Sequence, residues 1–200
     1  MRLENISKTY KSLDGSTVKV FENFSLDMPE GGVYCITGPS GCGKTTLLNI
    51  IAGVVEPDCG QVVFEDGEKG PVSYLFQEPR LLPWRTVLEN CKLVCDDEER
   101  ARGFLELAGL GDKAGRFPFE LSGGERQRAA FARAFCHKSN VILMDEPFQN
   151  LDDDLKRNLA SVFFRMLAKD RRTVVWVSHD LELAQICAKR IINISRITSR

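Results

Sequence analysis

Of three short segments that stand out in the sequence, two carry side chains whose types and spacing suit chemistry on phosphate. The first, Gly38-Pro39-Ser40-Gly41-Cys42-Gly43-Lys44-Thr45, fits G-x-x-x-x-G-K-[ST] and runs on into Thr46. Its glycines let the backbone curl so that several N–H groups point into one anion-sized hollow. A helix N-terminus directly after it adds partial positive charge. Lys44 is expected to reach the β- and γ-phosphates and Thr45 to place its hydroxyl on Mg²⁺, with Thr46 beside them in the first turn of the helix. The chemistry implied is binding of ATP or GTP. Cys42 sets a thiol inside the same loop, where alkylation is expected to block the nucleotide.

The second segment is an apolar run, Val141-Ile142-Leu143-Met144, that closes on Asp145 and Glu146. In an open parallel sheet, ligands sit beyond the carboxyl ends of the strands. Asp145 is then placed to hold Mg²⁺, directly or through water, and Glu146 to polarise the attacking water as general base. Alone, such a run is a strand ending in a solvated turn; a phosphate loop in the same chain reverses the balance. The third segment is Leu121-Ser122-Gly123-Gly124-Glu125-Arg126-Gln127-Arg128. Taken singly, it is a serine cap and glycine turn before a helix.

The elements that must position these segments follow from pattern. Leu3–Thr9 and Val18–Leu26 are predicted antiparallel strands around a turn at Leu13-Asp14-Gly15-Ser16. Val33–Thr37 is a β-rich run leading into the phosphate loop, and a helix is predicted from about Gly43 to Ala52, stopped by Gly53. Gln61–Glu65 and Val72–Gln77 are further strands. From Glu78 to about Arg133 the pattern is helical, punctuated by Pro79, Pro83 and Pro118. The β/α alternation then returns: strand Asn140–Asp145, helix Asp152–Lys169, strand Thr173–Ser178, helix Leu181–Ala188 and strand Arg190–Ile194. Such alternation predicts an α/β fold with a mainly parallel central sheet covered on both faces. An N-terminal antiparallel β subdomain and an inserted helical subdomain at about 78–133 complete a single domain spanning 1–200. No further C-terminal domain is expected.

Composition narrows the class. The 200 residues carry 27 Lys+Arg against 28 Asp+Glu, a net charge of −1, so there is no electrostatic footprint for bulk nucleic-acid binding. No apolar run approaches a membrane span and the first residues lack a signal-peptide core. A cytosolic protein is expected, recruited to any membrane by a partner. The seven cysteines form no Cys-x-x-Cys, and Cys91 and Cys95 are four apart, as on one helix face; free thiols are expected.

In this order, the phosphate loop, the Ser122-Gly123-Gly124 segment and the Asp145-Glu146 strand make the whole chain resemble the nucleotide-binding subunit of an ABC transporter, a P-loop NTPase. The resemblance implies further roles. Tyr10 matches the aromatic that stacks on adenine. Gln77, in Tyr74-Leu75-Phe76-Gln77-Glu78, matches the glutamine that contacts Mg²⁺ and the attacking water. His179, in Val177-Ser178-His179-Asp180, matches the switch histidine at the γ-phosphate. His137 has no such context and reads as surface. Two subunits would pair head to tail, each ATP lying on one copy's phosphate loop and under the other's Ser122-Gly123-Gly124. Asp152 would make a dimer contact. The family more often has small residues where the bulkier Gln149 and Asn150 stand, but Asp152 is kept and the dimer contact is expected to survive. The chain ends soon after His179, where family members often continue, so a minimal version without a regulatory domain is expected.

Leu81-Leu82-Pro83-Trp84, soon after Gln77, is similar to the importers for nitrate, sulfonates, taurine and related small solutes. The resemblance implies membrane permease subunits and an extracytoplasmic solute-binding protein as partners, at the cytoplasmic face of the membrane, with Leu82 and Trp84 as anchors in a partner groove or as packing of the helical subdomain. The alternatives are an exporter or lipoprotein-release cassette, a related ATPase acting on nucleic acid or ribosomes, and a small-molecule kinase. The long insertions, zinc motifs or paired cassettes of the non-transport relatives are not seen, and a kinase has no use for Leu121–Glu125.

Overall fold

The computed structural model describes residues 1–11, 15–65, 70–148, 151–170 and 172–194. Within the expected turn at Leu13–Ser16, Leu13 and Asp14 lie outside the described residues; so do Gln149, Asn150 and the tail from Ser195. Two sheets form. Strands β1 (Arg2–Lys11), β2 (Thr17–Asp27) and β4 (Cys59–Val63) make an antiparallel sheet in the order β2-β1-β4. Strands β3 (Val33–Thr37), β5 (Val72–Leu75), β6 (Val141–Asp145), β7 (Thr173–Val177) and β8 (Arg190–Asn193) make a parallel sheet in the order β5-β6-β7-β3-β8.

Every residue of β6 and β7 is buried. That requires cover on both faces, and the period of two divides it. Val141 and Leu143 of β6 pack with Leu47, Leu48 and Ile51 of α1 (Lys44–Ala52) and with Leu3, Ile6 and Phe24 of the antiparallel sheet. Ile142 and Met144 face the other way, into a core with Phe131 and Phe135 of α4 (Gly123–Cys136), Leu159 of α5 (Asp153–Asp170) and Leu183 of α6 (Leu181–Cys187). Phe148, Phe164 and Trp176 complete that side, with Phe148 edge-on to Trp176 at 5.6 Å.

The expected helical region is helical in pieces: α2 (Val87–Lys92), α3 (Glu98–Leu107), two short 3₁₀ turns and α4. Helix α4 runs beyond the predicted end at Arg133 to Cys136, whose carbonyl accepts from Arg100 Nε at 2.8 Å. Residues 79–86 are not helical. Buried Asn90 holds this stretch instead: its Oδ1 accepts the Leu82 N–H, and its amide donates to the carbonyls of Leu82, Arg85 and Thr86 at 2.9–3.2 Å. Helix α2 ends at Lys92, so Cys91 and Cys95 do not share a helix face; both are buried beside Cys136. Strand β4 sits two residues ahead of its predicted span, because its pairing with β1 (Arg2 opposite Val63, Ser7 opposite Cys59) fixes the ends. Strand β5 stops at Leu75, opposite Met144, rather than at Gln77. Among the described residues, no helix is long and apolar enough to cross a membrane.

Candidate active site

The phosphate loop leaves the C-terminal end of β3, between β7 and β8, and turns into α1. Gly43 is the residue before α1, at φ 97° and without a side-chain cap, and Gly41 has φ 79°. These are left-handed conformations that favour glycine. At Gly43 a Cβ would also come 2.3 Å from Val20 Cγ1. Lys44 is 7% exposed, and its ammonium curls back to donate to the carbonyls of Gly38 at 2.9 Å and Pro39 at 2.8 Å. Thr45 Oγ1 donates to Asp145 Oδ2 at 2.7 Å, joining the loop to the end of β6.

Glu146 follows with φ 48°, a strained value for a residue with a side chain. Its N–H donates to the Val177 carbonyl at 3.1 Å, which pins the backbone against β7. Its carboxylate lies 2.9 Å from His179 Nε2, beyond the end of β7. The histidine is steadied through its neighbour: the Asp180 N–H donates to Ser178 Oγ, and the Asp180 carboxylate accepts the Leu183 N–H and pairs with Lys156 at 3.2 Å. The Leu183 N–H, and then Lys156, hold the Asp180 carboxyl below its ordinary range.

Tyr10, Ser40, Gly41, Gly43, Lys44, Thr45, Thr46, Gln77, Asp145, Glu146 and His179 line one hollow of about 340 Å³, with Val20 as the added apolar wall. Eleven of the sequence-derived candidates therefore meet around one space. Gly38, Pro39 and Cys42 belong to the same loop but do not line the hollow. Ser122, Gly123, Gly124 and Asp152 do not line it. Ser122 and Gly123 lie exposed at the start of α4, and Asp152 lies exposed before α5, where its carboxylate accepts the Leu155 N–H at 2.9 Å.

The start of α4 carries a capping box. Ser122 Oγ accepts the Glu125 N–H at 3.3 Å, and Glu125 accepts the Ser122 N–H at 2.8 Å. The Lys113 ammonium and then the Ser122 N–H hold the Glu125 carboxyl down to about 2. Gln127, quoted in the motif without a role, is buried and donates to the Pro147 carbonyl at 3.3 Å. It ties α4 to the turn after Glu146. His137 is not a surface residue: it is half-buried at the end of α4, with Nδ1 2.9 Å from Ser73 Oγ. Burial, then the Arg172 charge, keeps its pKa below the ordinary imidazole value.

A family model described as ABC transporter matches residues 21–149. The chain is 42% identical over 176 residues to the aliphatic sulfonates import ATP-binding protein of Rhodococcus jostii, covering 86% of this chain and 72% of the relative. It is 36% identical to the aliphatic sulfonates import ATP-binding protein of Zymomonas mobilis over 96% of this chain and 81% of that one. A solved dimeric ATP-binding cassette in a post-hydrolysis state, bound to ADP and Pi, has a similar fold with a TM-score of 0.86. Its identity is 31%, covering 96% of this chain and 93% of that chain.

Proposed function

The chain belongs to the ABC transporter family, and from that premise we propose that it is the ATP-hydrolysing subunit of an importer for a small solute of the nitrate, sulfonate or taurine kind. One observation carries the reading: Thr45 bonded to Asp145 at 2.7 Å and Glu146 against His179 at 2.9 Å stand around the same hollow as the phosphate loop. Catalysis of phosphoryl transfer is chiefly positioning plus electrostatic stabilisation, and these residues supply both.

ATP lies with its triphosphate along the loop from Gly38 to Thr46 and its base against Tyr10. Lys44 exchanges its two loop carbonyls for phosphate oxygens, so the ammonium is never without acceptors. Thr45, Asp145 and Gln77 offer the hard oxygen donors that Mg²⁺ takes. Bound there, the ion supplies charge neutralisation on the phosphates. Glu146 accepts the proton of the attacking water as general base, and His179 orients that carboxylate and reaches the γ-phosphate. Asp180, capped and ion-paired, sets where the imidazole sits.

Ser122, Gly123 and Gly124 serve the ATP of a second copy, paired head to tail, and Asp152 contributes to the same contact. The solved neighbour is a dimer. The curated relatives include proteins of sulfonate import and of choline transport. The subunit associates peripherally with the membrane, at its cytoplasmic face, through permease subunits that receive cargo from an extracytoplasmic solute-binding protein. Trp84, 69% exposed on the loop held by Asn90, is the anchor for the permease.

Glu146→Gln tests the mechanism. It should bind ATP, lose turnover by about 10²–10⁴-fold, and elute as a dimer from a sizing column only with Mg-ATP. Retained turnover in this variant would remove Glu146 from the chemistry. Purification from gently solubilised membranes should recover a permease and a solute-binding protein; a permease without one would point to export.

A further inference from the structure

The segment from Gln77 to Thr86 has no regular structure, yet it is held from both sides. Arg80 sits at φ 46°. A residue with a side chain stays in that region only when its surroundings impose it. From α4, Arg133 Nη1 donates to the Arg80 carbonyl at 2.8 Å and Nη2 to the Pro79 carbonyl at 2.9 Å, one planar fork on two successive peptides. Asn90 fixes Leu82, Arg85 and Thr86 in the same way from α2. Residues 79–86 are thus bonded to the helical region.

The contacts of the Arg80 side chain run in the opposite direction. Its guanidinium lies 3.9 Å from the centroid of the Phe76 ring. Phe76 stacks on Tyr74 at 4.1 Å and 19°, and the Tyr74 hydroxyl donates to Asn49 of α1 at 3.0 Å. Tyr74 and Phe76 belong to the sheet side, next to the phosphate-loop helix. Only Gln77 and Glu78 separate the two bodies along the chain, and Arg80 reaches back across them.

We propose that Arg80 is a latch residue: its stack on Phe76 couples the phosphate-loop side of the hinge at Gln77-Glu78 to the loop that presents Trp84. Arg133 is the positioning residue that makes the coupling stiff. The proposal rests on the ATPase reading above. Without the backbone clamp the guanidinium would follow a flexible loop and report nothing. Without the stack the loop would follow the helical region alone.

The two tryptophans make the test direct, since Trp84 is 69% exposed and Trp176 is buried in β7. The full chain is labelled with 5-fluorotryptophan and the Trp84 resonance is assigned by its loss in Trp84→Phe. Mg-ATP is then added, with ATP affinity and hydrolysis measured on the same samples. The Trp84 resonance should shift with ATP in the parent. Arg80→Ala and Arg133→Lys should lose at least half of that shift and change kcat roughly two- to five-fold, the worth of one exposed cation–ring contact, with KM for ATP unchanged. Arg80→Lys, which keeps a cation over the ring, should retain most of the shift. A Trp84 resonance indifferent to ATP in the parent, or an equal shift in Arg80→Ala, overturns the latch while ATP binding and hydrolysis stand. A parent that neither binds nor hydrolyses ATP overturns the ATPase reading and the latch together. Arg80 is exposed, so Arg80→Ala keeps its fold even if Arg133→Lys does not.

Discussion

Helices α1 and α4 begin in opposite ways. Helix α1 starts after a left-handed glycine, with no side chain on its first N–H groups, and it faces the hollow. Helix α4 starts after Ser122 with a complete capping box, and Lys113 locks the Glu125 of that box in place. Both ends carry the same partial positive charge. On the function proposed above, the end that holds the chain's own ATP is left uncapped, while the end offered to a second copy's ATP has its Ser122 and Glu125 N–H groups bonded by the box.

That contrast can be broken from either side. Lys44→Ala should act at the uncapped end and weaken ATP binding by about 10–100-fold, the worth of a charge-assisted hydrogen bond, in a titration of the isolated chain. Alkylation at Cys42, in the same loop, should block nucleotide binding, and ATP should protect. Equal sensitivity in Cys42→Ala would assign the effect to another thiol. Ser122→Ala should leave ATP affinity unchanged in the monomer. It should cost about 1 kcal/mol of stability by loss of the cap, or about 2–4 °C in Tm for a chain of this size, and it should weaken the ATP-dependent dimer. A fall in monomer affinity would contradict the division of labour between the two ends.

The smallest effect is at the far end of α4. The folded pKa of His137 is below its ordinary value of 6.5, so the unfolded chain takes up a proton at a higher pH than the folded one. Stability is therefore complete above about 6.5 and declines as pH falls below it. Thermal melts of His137→Gln should show a flatter acid limb than the parent.

The candidate site was legible from sequence wherever a residue type is dictated by backbone or phosphate geometry. Gly43, Lys44 and Thr45 were marked by motif spacing, and Asp145 and Glu146 by an apolar strand closing on carboxylates in the same chain; all five line one hollow. Gln127, Asn90 and Arg133 were not marked. Their partners are backbone carbonyls, near in the chain for Asn90 and distant for Gln127 and Arg133, so any sequence could supply them and no residue type marks them. His137 was missed because its partner is the Ser73 hydroxyl on β5, 64 residues away in the chain. The α/β alternation named the parallel sheet because β6 and β7 are apolar apart from Asp145 and Thr173. Where an edge depends on its neighbour's length, as at β4 and β5, residue pattern misjudged the ends by two residues. The break between α2 and Cys95 was hidden by a spacing that looks helical.

Helix α4 has 14 residues, a rod of about 21 Å. Its far end is tethered by the carbonyls of Phe135 and His137, which accept from Arg172, and by the His137–Ser73 contact. A rod held at one end multiplies small turns: a tilt of about 5° there carries Ser122 through about 2 Å, the difference between touching a phosphate and missing it.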